Sequence, residues 1–312
     1  MRIGLDIMGG DFAPQATIDG ACDAMKELPA DIQVVMIGDK DIITSILEKR
    51  DVDESRYQIV HTSEVIEMND HPTKSIARKI DSSIVRGFEL LKNEEIDCFA
   101  SNGNTGAMLV GAMYTVRVIP RVIRPAITSF LPKPNGKVGI ILDVGANSDC
   151  KPDVLYQFAM LGSAYAEKVY NIENPKVGLI NIGEEESKGN LLTQAAYEMM
   201  KDSSDFQFIG NVEGRNLFDE KADVTVCDGF TGNVLLKCAE GFFDLIKARK
   251  RSDEYFDRLD FKLYGGTPIL GINSNVIIGH GISNAFAVKN MIKLSTEVVN
   301  ARLIEHIKGI FN

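Results

Sequence analysis

Ile3-Gly4-Leu5-Asp6-Ile7-Met8-Gly9-Gly10-Asp11-Phe12-Ala13-Pro14 closes an apolar strand and opens a helix through a glycine pair. Without a Cβ, Gly9 and Gly10 let backbone N–H groups approach a ligand, and Pro14 suits the first turn of the helix that follows. Such a strand-to-helix corner is a seat for an anion. Two carboxylates stand inside it, and like charge repels an anion unless each orients a cation or a backbone amide. For Asp11, capping the helix is an equally open reading.

Outward from this corner, strand-like and helix-like segments alternate along nearly the whole chain. The hydrophobic pattern predicts strands at Ile3–Ile7, Gln33–Ile37, Gln58–His61, Asp97–Ala100, Ile127–Leu131, Val138–Asp143, Val177–Ile182, Phe206–Ile209, Asp223–Cys227 and Asn275–Gly279. Amphipathic stretches long enough to cover a sheet fall between them, at Ala13–Glu27, Lys74–Lys92, Val154–Tyr170, Asn190–Lys201, Asn233–Arg249 and Asn284–Ile307. The pattern is that of a three-layer α/β fold with a mostly parallel sheet. No linker or repeat divides the chain, so one domain over 1–312 is expected, with a helical excursion around 247–274. Within it, Tyr264–Gly271 reads as an exposed apolar tip beside a basic run, fit for a membrane surface, a partner or a dimer contact.

Ligands of parallel sheets bind beyond the carboxyl ends of the strands. The loops expected there are rich in Gly, Asn and Thr: Ser101–Gly106, Asp143–Asp149, Ile182–Asn190, Asp228–Asn233 and Gly279-His280-Gly281. Each alone is also ordinary turn and cap chemistry. Five of them on one rim point to a composite polar pocket.

Bulk properties exclude other classes. The chain has 312 residues, 45% of them hydrophobic and 25% charged, and a net charge of −10, which speaks against general nucleic-acid binding. No apolar run approaches the ~20 residues of a membrane span, and no targeting segment opens the chain, so a cytoplasmic home is expected. Cys22, Cys98, Cys150, Cys227 and Cys238 form no C-x-x-C pair, and no metal site or disulfide framework is expected. Basic residues cluster at Arg117, Arg121 and Arg124, followed by Lys133 and Lys137, and again at Lys247–Arg251. They can steer an acidic partner or an anionic lipid surface, or be solvated helix faces.

Signatures of serine hydrolases, zincins, P-loop enzymes and dinucleotide-binding folds are missing, so no cofactor is expected. The four histidines, His61, His71, His280 and His306, are too scattered for a nucleophile–base pair. Scarce acid–base machinery and many anion-friendly loops call for a nucleophile that arrives ionised. Inorganic phosphate meets that need, since even phosphate esters lose their second proton near about pH 6. A thioester is the matching acyl donor, because its thiolate, of pKa about 8.5, leaves with little acid assistance. Lys188, Asn233, Asn104, Thr105 and neighbouring glycine amides are donors of the right kind for phosphate and the oxyanion.

These residues carry a resemblance. Asp6–Pro14, Glu67-Met68-x-Asp70-x-Pro72 with Arg78, Lys79, Ser82 and Ser83, Ser101–Gly106, Leu142–Asn147, Asn181–Asn190, Gly210–Arg215, Cys227–Asn233 and Gly279-His280-Gly281 together resemble the bacterial phosphate acyltransferase family. The resemblance implies transfer of a long-chain fatty acyl group from acyl carrier protein to inorganic phosphate, giving acyl phosphate for phospholipid synthesis. It implies a Rossmann-like α/β/α fold similar to phosphotransacetylases and isopropylmalate dehydrogenases. It further implies a homodimer, reversible attachment to the inner face of the cytoplasmic membrane, and handover to a glycerol-3-phosphate acyltransferase. Lys188 and Asn233 are the implied catalytic pair. Asp6, Gly9, Gly10, His61, Asn104, Thr105, Gly106, Asn147 and Gly232 are the expected substrate contacts. Two departures stand out: Asn102 occupies a position where the family has a small residue, and the tract Lys247–Arg258 is shorter than the family's. A phosphotransacetylase acting on coenzyme A thioesters and a non-catalytic membrane-associated scaffold are the alternatives.

Overall fold

Strand β1 (Arg2–Asp6) runs into the glycine corner and then α1 (Gln15–Glu27), whose N-cap is Pro14. The computed structural model describes all 312 residues. In chain order there follow β2 (Gln33–Gly38), α2 (Lys40–Leu47), β3 (Tyr57–His61), α3 (Pro72–Arg78), α4 (Ser83–Lys92), β4 (Cys98–Ser101) and α5 (Thr105–Gly111). Next come β5 (Ala126–Pro132), β6 (Val138–Leu142), α6 (Pro152–Tyr170), β7 (Lys176–Ile180), α7 (Leu191–Met200), β8 (Gln207–Val212), β9 (Val224–Val226), α8 (Gly229–Ala248) and the short α9 (Glu254–Asp257). The chain ends with β10 (Thr267–Leu270), β11 (Asn275–Ile278), α10 (Ala285–Asn300) and α11 (Leu303–Phe311).

Where the sequence suggested one continuous domain, contacts cluster into two units, Met1–Val118 with Phe261–Asn300, and Ile119–Asp260 with Ala301–Asn312. In the first unit the strand order is β3-β2-β1-β4-β11-β10, parallel except where β10 meets β11. In the second it is β5-β6-β9-β7-β8, parallel except for the β5–β6 hairpin. That hairpin turns at Asn135-Gly136, with Gly136 at φ 85°, the turn chemistry that joins adjacent antiparallel strands.

The layers of the first unit follow from β4, whose neighbouring side chains face opposite ways. Phe99 meets Phe88 of α4 edge to face at 5.1 Å, whereas Cys98 meets Ser295 of α10. Helices α4 and α10 therefore cover opposite faces. Strands β1, β2 and β4 are almost wholly buried, as their unbroken apolar runs require. In the second unit α6 lies on β6 and β9, where Gly162 admits Val224 and Leu142 within a distance no Cβ would permit.

Several expectations change. Lys74–Lys92 is two helices, because the chain leaves helical geometry at Lys79 and Ser82 re-caps it through Val85. Asn284–Ile307 also divides, at Arg302 with φ 51°. Helices α2 and α5 went unread because they are short and follow their strands almost directly. The exposed tip expected at Tyr264–Gly271 is not exposed: Gly265, Gly266 and Pro268–Gly271 are buried, and β10 pairs with β11. Gly265, at φ 77°, lets this stretch press against the backbone of α10, where a Cβ would stand 2.1 Å from Met291 N. The excursion at 247–274 is thus confined to the residues between α8 and β10.

Candidate active site

In the first unit, the corner after β1 closes around Asp6. Its carboxylate accepts from Met8 N at 3.0 Å and from Ser101 Oγ at 2.6 Å, and the same Ser101 Oγ accepts from Gly103 N at 2.9 Å. Asp6 is 1% exposed. Burial pushes its carboxyl above the ordinary range, against the hydroxyls of Ser101 and Ser83 and the amides of Met8 and Gly9, which favour the anion. Gly9 is required by this knot, since a Cβ there would stand 2.3 Å from Asp6 Oδ2 and 2.8 Å from Gly103 N. Gly10 sits at φ 106° beside Gly281, whose carbonyl accepts from Asp11 N at 2.7 Å. No side-chain cap is made by Asp11; Pro14 occupies the N-cap.

Asn104 caps α5 through Ala107 N at 3.0 Å. Its amide also donates to the carbonyls of Glu67, Met68 and Asp70 at 3.1, 3.1 and 3.0 Å. The Glu67–Pro72 stretch is thereby tied down, with Lys79 Nζ on Asp70 at 2.6 Å and Pro72 packed where Gly106 lacks a Cβ. Thr105 is exposed at the start of α5. His61 lies two strands away from Asp6, on β3, where its Nδ1 accepts from Lys40 N at 3.1 Å. Asp6, Gly9, Gly10, Asn104 and Gly106 are thus gathered in one loop cluster, whereas His61 stands apart.

The second unit repeats this construction around Asp143, directly after β6. Asp143 is fully buried and accepts from Ile127 N, Gly145 N, Ala146 N, Asn147 N and Asn147 Nδ2, at 2.6–3.3 Å. Burial raises its carboxyl above the ordinary value despite those donors. Asn147 donates further to Pro125 O at 2.8 Å, and its carbonyl accepts from Gly229 N at 2.7 Å, fixing the start of α8. Gly232 presses on the same knot: a Cβ there would stand 1.9 Å from Asp143 O. Asp143 lay within a loop noted in the sequence but was not singled out. Its position immediately after an apolar strand, the place Asp6 holds after β1, was the available signal.

Asn233, one helical step beyond Gly232, is exposed and donates through Nδ2 to Val144 O at 3.1 Å. Lys188 is also exposed, on the loop after β7. Its carbonyl accepts from Asn181 Nδ2 at 3.2 Å, which shapes the loop, while its ammonium forms no ion pair although Glu184, Glu185 and Glu186 precede it. Lys133, by contrast, is no surface cation. It is 4% exposed, its ammonium donates to Leu217 O at 2.9 Å, and burial pushes its pKa down. Room for it comes from Gly139, where a Cβ would stand 2.3 Å from the Lys133 chain. Of the other basic residues in that stretch, Arg121 and Arg124 hold backbone carbonyls at Phe311 and Asp149.

A cavity of about 420 Å³ opens at the carboxyl ends of β7 and β9. Gly189, next to Lys188, and Thr231, two residues before Asn233, both line it. Neither Lys188 nor Asn233 itself lines it: Lys188 is one residue from the wall, whereas Asn233, two residues beyond Thr231 on the same helix, faces away from Thr231 and toward Val144 O. An exposed ammonium such as that of Lys188 and a side-chain amide such as that of Asn233 are groups suited to hold an anion and a developing oxyanion. No cluster of His, Cys, Asp and Glu is placed to hold a metal ion.

The model of the "Fatty acid synthesis protein" family matches residues 1–306. A protein named phosphate acyltransferase from Dictyoglomus turgidum is 43% identical over 333 aligned positions, covering 99% of this chain and 98% of the relative. One of the same name from Halothermothrix orenii is 41% identical, covering 100% and 99%. Among solved structures, a phosphotransacetylase from Streptococcus pyogenes superposes with a TM-score of 0.68 at 16% identity over 98% of this chain and 94% of that one, a likeness of fold. The chain belongs to the fatty acid synthesis protein family, together with the phosphate acyltransferases.

Proposed function

We propose that this chain transfers an acyl group from a thioester to inorganic phosphate. A phosphate oxygen attacks the thioester carbonyl carbon, the C–O bond forms, and the tetrahedral oxyanion collapses with cleavage of the C–S bond. The products are acyl phosphate and a thiolate that takes its proton from water. Lys188 neutralises phosphate or the oxyanion, and Asn233 donates a hydrogen bond to it. Asn147 and Gly232, with Asp143, hold the loop and helix start that present Asn233. Gly9, Gly10, Thr105 and Gly106 keep the substrate-contact role in the first unit, with Asp6 and Asn104 as the residues that shape their loops.

The observation that carries the reading is Lys188, an exposed ammonium outside any ion pair, one residue from a cavity at the carboxyl ends of parallel strands. The donor is a long-chain acyl group on acyl carrier protein, and the product serves phospholipid synthesis. Purified protein incubated with acyl carrier protein thioester and phosphate should yield acyl phosphate. Failure to form it, or equal use of a coenzyme A thioester, would overturn the assignment of the donor.

The proposal extends to a homodimer that attaches reversibly to the inner face of the cytoplasmic membrane and hands its product to a glycerol-3-phosphate acyltransferase. What supports an apolar contact surface is α8, whose Phe230, Val234, Phe242 and Leu245 are exposed ahead of the basic run Lys247–Arg251. No helix is long and apolar enough to cross a membrane. Sedimentation and flotation with anionic vesicles separate self-association from membrane attachment.

A further inference from the structure

The cavity of the second unit has walls of unequal chemistry. Leu155 of α6, Ile180 of β7 and Cys227 after β9 are buried and form its deep side. Leu235 of α8 is half-buried, and Ile182, 81% exposed, stands at its rim. The polar residues along it are already engaged. Asn181 donates to Lys188 O and Asn211 Oδ1, and its Oδ1 accepts from Ile182 N. Asn190 caps α7 through Thr193 N, and Asp228 caps α8 through both the amide and the hydroxyl of Thr231. A polar ligand deep in this space would give up water for few new hydrogen bonds, which is costly. An alkyl chain would give up nothing and bury apolar surface.

We propose that this cavity is the seat of the donor's alkyl chain, with Leu155, Ile180, Cys227, Leu235 and Ile182 as the residues that set the accepted chain length. The assignment rests on the acyl-transfer reading for the identity of the donor, but the cavity's preference for alkyl chains does not. Its volume of about 420 Å³ lies within the usual range for small-molecule pockets, ~300–1,000 Å³. With about 30 Å³ for a group the size of a water molecule, it holds roughly a dozen chain atoms, far more than a two-carbon acyl group fills. Entry past Ile182 leaves the carboxyl end of the chain at the mouth, beside the loop that carries Lys188.

The test uses the full-length protein and two probes, hexadecyl phosphate and butyl phosphate, with binding followed by calorimetry. Wild-type protein should bind the hexadecyl probe at least tenfold more tightly than the butyl probe. Leu235→Trp, which fills the cavity, and Ile182→Trp, at the exposed rim where folding is not at stake, should each cut that preference tenfold or more. In turnover with acyl carrier protein thioesters, the same variants should lower the ratio of long-chain to short-chain kcat/KM. Equal affinity for the two probes, or an unchanged preference in the Ile182→Trp variant, would overturn the proposal. Chain-selective binding without any acyl phosphate formation would instead uphold the cavity and defeat the acyl-transfer reading.

Discussion

The Ser101 hydroxyl donates to the Asp6 carboxylate across 2.6 Å, joining the loop after β4 to the corner after β1. Both residues are fully buried, so no water can replace the bond. A hydrogen bond to a charged or partly charged acceptor contributes about 1.5–3 kcal/mol. Ser101→Ala should therefore lower the unfolding free energy by about that amount in denaturant titration. A change indistinguishable from zero would mean that Asp6 does not hold the corner.

Asn102 sits next to that bond and presents the opposite case. It is 1% exposed, and neither its Oδ1 nor its Nδ2 has a partner within the protein. Gly279 makes room for it, since a Cβ there would stand 1.9 Å from Asn102 Oδ1. An unpaired buried amide costs about 1–3 kcal/mol. Asn102→Ala is expected to raise the thermal midpoint, and a clear fall would show that the amide is satisfied in solution.

Two glycines of α8 should respond in opposite directions. Gly232→Ala drives a methyl group into the Asp143 carbonyl, and overpacking of this kind costs about 1–3 kcal/mol. Gly241 faces nothing within 4 Å, so Gly241→Ala should stabilise the helix by about 0.5–1 kcal/mol. Denaturant midpoints of the two variants check both signs at once.

Glu27 of α1 is bound by Lys289 and Lys293 of α10, and these ammonium groups hold its carboxyl down at about 2 from an ordinary 4.5. Because the folded-state value is depressed, the stabilisation is present above pH 4.5 and is lost as pH falls toward about 2. The melting-point gap between wild type and Glu27→Gln should close across that window and narrow with added salt. A gap independent of pH would assign the effect to packing.

Much of the fold was legible because buried parallel strands are nearly continuous apolar runs, as in Val34–Ile37 and Cys98–Ala100. Strand β10 escaped because Pro268 and the flanking glycines mimic a loop, and its burial is tertiary. Lys133 was misread for the same reason: nothing local distinguishes a solvated lysine from one whose ammonium finds Leu217 O across 84 residues. At the candidate site, residue types were readable but their division of labour was not. Asn104, Asn147 and Asp6 look like ligand contacts in sequence, yet their polar atoms are taken up by backbone groups and by Ser101 and Asp143, whereas Lys188 is exposed outside any ion pair and Asn233 is exposed with one amide bond to Val144 O.

The most direct measurement is acyl phosphate formation from acyl carrier protein thioester and phosphate by wild-type protein and Lys188→Ala, with melting curves alongside. The loop ammonium is expected to supply charge stabilisation to the oxyanion, so kcat should fall about 10²–10³-fold at an unchanged melting temperature. Equal turnover by the two proteins would contradict the role given to Lys188 and the account built on it.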